Sequence, residues 1–424
     1  MLKQSRVSRW GAVLALVATG SLALSACSSS ASSSSSSSST TAANTKPKIT
    51  HVVSIYLENE SYDSAFGSSS PAVYLNTTLR QEGVLIPNFY GTSHVSLGNY
   101  ISTLSGQTPT PTTQADCLSS FDPVTPGTPT GTMGQVVGTA GCVYPSSVET
   151  LTDQLDKIHP PNPTTHVASW RGYQQDMGND AARDGGTTCA HPATGGKPAI
   201  AASATDGYVT RHNPFVWFNS IISNTAECQA NVVPLGTTTN NKPAASSPLV
   251  KDFSSLSTTP DFAFISPSVC NDGHDQVCVS PSAAGGTTGG LAAADAFLAQ
   301  WMPTLLDSPA YKDGSMMILI TFDEAEIGPP STATACCGEV QGPNVTQNGI
   351  NGPGGGQTGA LVLASSKLIK PGSTDTKGQY NHFSELRTYE DLLGITTGGS
   401  DGKGHLGFAG QTGLQPFGSD VFNG

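Results

Sequence analysis

Residues 51–67 read H-V-V-S-I-Y-L-E-N-E-S-Y-D-S-A-F-G, and this stretch decides the fold. Its first part, 51–57, is largely β-branched and apolar and predicts a strand buried on both faces. The strand ends abruptly in Glu58 and Asn59. In open α/β sheets the functional groups collect just past the carboxyl ends of strands, so these two residues form a candidate site. The alternative is a simple turn in which Asn59 or Ser61 caps the next helix.

Residues 316–326, M-M-I-L-I-T-F-D-E-A-E, repeat the same pattern near the other end of the chain. A buried apolar strand runs out into Asp323 and Glu324. Acidic pairs in this position suit hard cations, which prefer oxygen ligands. The alternative is that Asp323 caps a helix. We expect Glu58 and Asp323 to meet within a few ångströms, with a serine hydroxyl between them.

Other apolar runs and helical patterns alternate along the rest of the chain. This alternation predicts an α/β sheet with helices on both faces. In the predicted helix 291–306, Pro303 is expected to kink or end the helix. The further predicted strands are 166–170, 261–266 and 360–364, and the predicted helices are 97–104, 291–306 and 384–393.

Composition and charge exclude a nucleic-acid-binding protein. The 424 residues carry a formal net charge of −12, only 12% are charged, and no Lys/Arg run forms a basic patch. A Ser/Thr/Ala-rich tether follows the first 27 residues, and we find no second linker like it. We therefore predict three parts, which are a targeting segment (1–27), a flexible tether (28–48) and a catalytic domain (49–424).

The targeting segment ends in Leu24-Ser-Ala-Cys27, which resembles a bacterial lipobox with Cys27 as the lipidated residue. The alternative is an ordinary signal peptide cut near Ala26. We expect an exported cell-surface lipoprotein, held to the bacterial membrane through the lipid on Cys27 or released from it. The eight other cysteines imply disulfides in an oxidising compartment. Proximity along the chain suggests the pairs Cys117–Cys142 and Cys270–Cys278, and leaves the other pairing open.

Residues 90–100, Y-G-T-S-H-V-S-L-G-N-Y, lead into a predicted helix and are rich in small hydroxyl side chains. A serine at a helix start is usually a cap, but there it can also act as a nucleophile beside N–H groups that hold an anion. Three histidines, His212, His274 and His382, lie in polar or aromatic surroundings. Singly, each is more often a surface or core histidine. His274 has the best local case because Asp272 and Asp275 flank it and favour its charged form.

Together these blocks resemble the bacterial phosphoesterase family, which contains secreted acid phosphatases and phospholipase C enzymes and is similar in fold to alkaline phosphatases. The resemblance implies a three-layer α/β/α sandwich with a mostly parallel sheet and a site at the carboxyl edge. The matching stretches follow the family order and are 51–67, 94–106, 169–177, 211–215, 264–275, 291–301, 319–324 and 382–394.

The resemblance also implies roles for individual residues. It makes Ser96 the nucleophile and His274 and His382 catalytic. Val95 stands where the family usually has proline, which leaves Ser93 as an alternative nucleophile. The first motif also departs slightly, with Tyr62 where phenylalanine is more usual. The implied metal ligands are Glu58, Asn59, Asp323 and Glu324, and the implied substrate-binding residues are Asn59, Asn99 and His212.

The function implied is hydrolysis of a phosphate monoester through a phosphoserine, with His274 or His382 protonating the leaving alcohol and an acidic optimum. We expect one divalent ion, with Ca²⁺, Mg²⁺ or Mn²⁺ favoured and Zn²⁺ as the alternative, because the ligands are oxygen-rich and the histidines lack paired spacing. We also expect a monomer without nucleic-acid partners. One alternative is a phospholipase C-type phosphodiesterase, although such enzymes tend to be longer. A second is a non-catalytic, surface-binding lipoprotein.

Overall fold

An eight-stranded sheet organises the computed structural model, which describes residues 48–160, 169–275, 277–278 and 283–423. Smaller sheets of two or three strands lie beside it. The strands are β1 (His51–Leu57), β2 (Gly83–Ile86), β3 (Phe89–Gly91), β4 (Thr125–Thr130), β5 (Gln135–Ala140), β6 (Trp170–Gln174), β7 (Val232–Pro234), β8 (Thr238–Thr239), β9 (Lys242–Pro243), β10 (Phe262–Ser266), β11 (Met316–Phe322), β12 (Gly356–Gln357), β13 (Ala360–Ala364), β14 (Ser373–Thr374) and β15 (Tyr380–Asn381).

Helices connect these strands and cover the main sheet. The α-helices are α1 (Tyr62–Phe66), α2 (Arg80–Glu82), α3 (Ser96–Ser105), α4 (Leu151–Ile158), α5 (Ala181–Asp184), α6 (Asn219–Ile222), α7 (Thr225–Asn231), α8 (Pro248–Asp252), α9 (Gly290–Leu306), α10 (Pro309–Asp313) and α11 (His382–Leu392). In the described part of the chain, no helix is both long enough and apolar enough to cross a bilayer.

The strand order of the main sheet is β14-β2-β13-β11-β1-β10-β6-β7. Strand β1 lies in the middle and pairs in parallel with both β10 and β11. Among the eight described strands of this sheet, β13 alone runs against the others. The carboxyl ends of β1, β10 and β11 therefore meet at one edge, where ligands bind in open α/β sheets.

The apolar sequence of β1 explains its central position. Val52 and Tyr56 face one core, and Val53, Ile55 and Leu57 face the other. Fully burying a side chain of this size stabilises the fold by roughly 1.5–3 kcal/mol, so a strand with two apolar faces belongs inside the sheet. Helices α3 and α11 pack on the first face and α9 on the second. The predicted three-layer α/β architecture is confirmed.

Most predicted elements match the observed ones closely. The strands predicted at 51–57, 316–322 and 360–364 have the observed bounds. The prediction at 166–170 meets β6 only at Trp170, and residues 166–168 lie outside the described residues. Helix α9 does not end at Pro303 but continues to Leu306. The proline removes one backbone hydrogen bond of the helix, but the last turn still forms.

All eight cysteines of the described part form disulfides. The predicted pairs Cys117–Cys142 and Cys270–Cys278 are confirmed. The other two are Cys189–Cys228 and the adjacent pair Cys336–Cys337. This oxidised state is the one expected of an oxidising compartment. The predicted targeting segment and the tether up to residue 47, with Cys27, lie outside the described residues.

Candidate active site

The carboxyl ends of β1 and β11 meet directly. The backbone N–H of Asn59 donates to Asp323 Oδ1 at 3.0 Å, and the same oxygen accepts the N–H of Glu324 at 2.7 Å. Asn59 has a φ of 57°, a left-handed conformation that Asn tolerates well and that turns the chain sharply after the strand. Glu58, Asp323 and Glu324 are fully buried. The predicted convergence of the two acidic strand ends is confirmed.

Helix α3 brings a serine to these carboxylates. Ser96 is its first residue, and its Oγ donates to Glu58 Oε2 at 2.8 Å. Tyr100 lies one turn later on the same face of the helix, and its hydroxyl donates to Glu58 Oε1. The alternative serine, Ser93, instead donates to the carbonyl oxygens of His94 and Asn348. Of the two serines, Ser96 is the one that faces the acidic strand ends.

Asn99 braces the loop before this helix. Its Oδ1 accepts the N–H groups of Thr92 and Ser93, and its Nδ2 lies 3.4 Å from Glu324 Oε2. These contacts hold the loop and helix α3 against the end of β11. Its assignment as a substrate-binding residue stays a prediction.

His212 and Asp272 complete a buried group beside Glu58. The two ring nitrogens of His212 lie 3.3 Å from Glu58 Oε1 and 3.2 Å from Asp272 Oδ2. The ring stacks on Tyr100, with centroids 5.4 Å apart and planes 5° apart. Donor atoms of Glu58, His212 and Asp272 lie within 4.8 Å of one another, close enough to hold a metal ion. Asp272 was noted in the sequence only as a neighbour of His274.

His274 lies at the mouth of the site. Its Nδ1 is 2.7 Å from Asp275 Oδ1, its backbone N–H donates to Asp272 Oδ1, and its side chain is 40% exposed. The hydrogen bond to Asp275 raises the pKa of His274 to about 9, so the imidazole carries its proton at neutral pH. It lines a cavity of about 390 Å³ together with Asn59. A protonated, accessible imidazole beside the carboxylates can act as a proton donor.

His382 occupies a different position from the one a proton donor needs. Its Nε2 lies 2.6 Å from the backbone oxygen of Asp323, and its Nδ1 contacts Tyr56 and Glu385 at 2.7 and 3.1 Å. The side chain is fully buried. With both nitrogens engaged, the ring has none left for a leaving group. The predicted acid role does not fit this geometry, which instead makes His382 a support for Asp323.

Sequence reasoning missed two basic groups next to the site. His94 is buried beside Glu324, 3.9 Å from Nε2 to Oε2. Arg211 is 8% exposed; its Nε lies 3.3 Å from Asp116 Oδ2, and its Nη1 donates to a backbone oxygen. Asp116 also accepts the N–H of Leu97, so it ties Arg211 to the start of α3. Both residues adjoin assigned ones, which is the signal that could have found them.

Burial makes the ionised carboxylates unfavourable without a cation. It raises the pKa of Glu58 and of Glu324 well above the usual value, and the charge of Asp323 adds to both effects. Burial likewise raises the pKa of Asp323 to about 7, and burial with the charge of Glu58 raises that of Asp272. So many buried acids in one place are typical of a site that binds positive charge.

The chemistry of the unsatisfied polar atoms in the site fits a divalent cation. Several buried oxygen and nitrogen atoms that could bind a metal ion have no hydrogen-bond partner among the residues that the structure describes. Buried polar atoms are rarely left without a hydrogen bond. Glu58 belongs to two groups of possible metal ligands. One group lies at the strand ends and contains only oxygen atoms, and the other includes the imidazole of His212. The atoms without a hydrogen bond are Asn59 Oδ1, Asp323 Oδ2, Glu324 Oε1, Asp272 Oδ2 and both ring nitrogens of His212, the last three making only the ion-pair contacts given above.

The fold and the site together define an α/β protein with a serine and a cation-binding acidic cluster at the carboxyl edge of its sheet. Residues 69–396 match the model of the Phosphoesterase family. The chain belongs to this family, as the sequence motifs predicted.

Curated relatives of the chain are fungal acid phosphatases. It is 25% identical over 283 residues to the phosphate-repressible acid phosphatase of Penicillium chrysogenum, covering 65% of this chain and 48% of the relative. It is 23% identical over 277 residues to an acid phosphatase of Aspergillus fumigatus, covering 64% of this chain and 43% of the relative. The chain thus spans about half the length of the curated relatives that it matches.

Similar solved structures include a protein in the alkaline phosphatase superfamily from Vibrio parahaemolyticus, with a TM-score of 0.43, 13% identity and coverage of 82% of this chain and 67% of that one. Another is a lipoteichoic acid synthase from Listeria monocytogenes, with a TM-score of 0.43, 13% identity and coverage of 89% and 76%. The fold assignment rests on the sheet described above.

Proposed function

We propose that this chain is a phosphomonoesterase of the acid phosphatase type that works through a phosphoserine on Ser96. The observation that carries the proposal is the contact of Ser96 Oγ with Glu58, beside Asp323 and at the start of helix α3. A serine that faces a cation-binding cluster at a helix N-terminus suits attack on a phosphate. Family membership and the names of the curated relatives support the same activity.

In the proposed mechanism, Ser96 Oγ passes its proton to Glu58, which accepts its hydrogen bond, and attacks phosphorus in line with the leaving oxygen. The bond from phosphorus to the leaving oxygen breaks, and His274 gives that oxygen a proton. Asn59 and Arg211 hold the other phosphoryl oxygens, because positioning and charge stabilisation dominate phosphoryl transfer. Water then gives a proton to His274 and attacks the phosphoserine, the bond from phosphorus to Ser96 Oγ breaks, and Glu58 returns the proton to Ser96 as phosphate leaves.

We propose that Glu58, Asn59, Asp323 and Glu324 hold one hard divalent cation, Ca²⁺, Mg²⁺ or Mn²⁺. When bound, such an ion supplies positive charge that favours the ionised form of the Ser96 hydroxyl and offsets charge on the transferred group. His382 acts through Asp323, because its Nε2 contacts the backbone oxygen of that residue.

Two substitutions and a matched control test this proposal. Ser96→Ala removes the nucleophile and Asp323→Asn removes a ligand, so each is expected to lower kcat for p-nitrophenyl phosphate by at least about 10³-fold. Ser93→Ala, a few residues from Ser96, is expected to keep most of the activity. Elemental analysis of the same samples is expected to find about one divalent ion per wild-type chain and less in Asp323→Asn.

Wild-type turnover in either Ser96→Ala or Asp323→Asn overturns the assigned site. Loss of activity in Ser93→Ala alone moves the nucleophile to that residue. Faster hydrolysis of bis(p-nitrophenyl) phosphate than of p-nitrophenyl phosphate makes the chain a phosphodiesterase instead.

A further inference from the structure

A cavity with a polar and acidic lining lies beside His274. It has a volume of about 390 Å³ and opens next to the proposed phosphate position, because Asn59 and His274 form part of its wall. Its lining is mainly polar and acidic, and consists of Asn59, Glu60, Ser64, Gly273, His274, Glu326 and Ile327.

Glu60 is an acidic residue of this cavity to which the proposed mechanism gives no role. The residue is 7% exposed, it lines the cavity, and its carboxyl group has no hydrogen-bond or ion-pair partner among the residues that the structure describes. A carboxyl group that faces a cavity without a protein partner is free to pair with a cation that comes from outside the chain. None of the mechanistic roles above uses Glu60.

Glu326 is a second carboxylate of the same wall, and the protein holds it in place. Its Oε1 accepts the hydroxyl of Ser64 at 2.8 Å, and its Oε2 accepts the N–H of Ser61 at 3.1 Å. Glu60 and Glu326 line the same cavity, so the two carboxyl groups can meet one ligand. Two neighbouring acidic groups, one of them unpaired, suit a ligand with a positive charge.

We propose that this cavity binds the alcohol part of the substrate and selects alcohols that carry an ammonium group, which Glu60 and Glu326 recognise. The inference rests on the proposed function: because His274 gives its proton to the leaving oxygen, the leaving alcohol must lie beside His274. The alcohol then extends into the cavity that His274 lines. An anionic leaving group meets repulsion there.

The test compares two esters of the same shape. Ethanolamine phosphate ends in an ammonium group, and n-propyl phosphate ends in a methyl group at the same place. At neutral pH, the wild-type kcat/KM is expected to be about tenfold higher for ethanolamine phosphate, which corresponds to ~1.4 kcal/mol of recognition. Glu60→Gln is expected to bring this ratio close to unity.

The matched control is Glu82→Gln, an exposed glutamate on α2 just before β2, at the opposite edge of the sheet. It is expected to keep the wild-type ratio. Because the readout is a ratio measured on one sample, partial misfolding of a variant does not change it.

Three results overturn the inference. The first is a wild-type enzyme with no preference between the two esters, and the second is a Glu60→Gln variant with the wild-type ratio. The third is an equal loss for both esters that added divalent cation reverses, because Glu60 and Glu326 then hold a metal ion. The proposed function fails separately, if the wild-type protein does not hydrolyse p-nitrophenyl phosphate.

Discussion

At the scale of single residues, the structure gives different surroundings to His274 and His382, two histidines to which the sequence motifs assigned the same role. His274 is half-exposed and carries a proton held by Asp275. His382 is buried and uses both nitrogens to support Asp323 and to contact Tyr56 and Glu385. A proton donor must reach the leaving oxygen, so the two rings cannot share one role.

His274→Gln tests this division. Loss of the acid is expected to lower kcat for n-propyl phosphate by about 100-fold, because an alkoxide leaves poorly without a proton. The loss for p-nitrophenyl phosphate is expected to be less than about tenfold, since nitrophenolate is a stable leaving group. Steady-state kinetics on both esters give the comparison.

His159→Gln is the matched control, because His159 pairs with Asp261 at the opposite edge of the sheet. It is expected to leave both rates unchanged. Equal losses for the two esters in His274→Gln would assign that residue to phosphate binding instead of proton donation.

Sequence reasoning reached the residues at strand and helix ends, because these positions follow from a local pattern. Glu58, Asp323 and Ser96 each adjoin a predicted element, and the structure brings them together. Arg211 adjoins the assigned His212, but its contact with Asp116, which ties it to α3, has no local signal in the sequence. The orientation of His382 was missed for the same reason, since its partners come from β1 and β11.

At the scale of elements, the start of helix α3 packs against the loop before it at a distance that only glycine allows. A Cβ on Gly98 would lie 2.2 Å from Ser93 Oγ and 2.6 Å from Ser93 Cβ. This close approach sets where Ser96, two residues earlier, meets Glu58. The pattern of the sequence predicted the helix but contained no signal for this packing.

Gly98→Ala is therefore expected to destabilise the protein by about 1–3 kcal/mol through overpacking. It is also expected to lower kcat, because relief of the clash shifts α3 and with it Ser96. Thermal denaturation and p-nitrophenyl phosphate kinetics measure the two effects.

The double variant Gly98→Ala/Ser93→Gly removes both clashing atoms and is expected to recover part of the lost Tm and kcat. A Gly98→Ala protein with wild-type Tm and turnover would contradict the described packing.

At the scale of the whole molecule, His405 fastens the segment after α11 to the domain. Its two nitrogens lie 2.6 Å from Asp401 Oδ2 and 3.1 Å from Asp391 Oδ1, and the next residue, Leu406, donates its N–H to Glu390. The hydrogen bond to Asp391, joined by that to Asp401, raises the pKa of His405. Its folded-state pKa is thus above its unfolded value of about 6.5.

This shift makes stability depend on pH in one direction. The contribution of His405 is fully present below pH ~6.5 and is lost as the pH rises through the raised folded-state pKa. His405→Gln is expected to lower Tm most at mildly acidic pH, and the gap to wild type is expected to narrow at alkaline pH. A series of thermal denaturation curves across pH measures it, and a gap of constant size would contradict it.

The α/β architecture and two of the four disulfides could be predicted from the sequence, because apolar runs and short cysteine spacings are local features. The pair Cys189–Cys228 could not, since 39 residues separate its members. Export, lipid attachment of Cys27 and the monomeric state stay predictions.

The central place of β1 has a consequence for biosynthesis. The strand emerges early, but its neighbours in the sheet begin only at Phe262 and Met316. At 5–20 residues per second, roughly 10–40 s pass before the first of them exists. For that time the seven residues of the strand lack both neighbouring strands. We therefore expect a holding chaperone to raise the soluble yield, and overproduction without one to favour aggregates seeded by this strand.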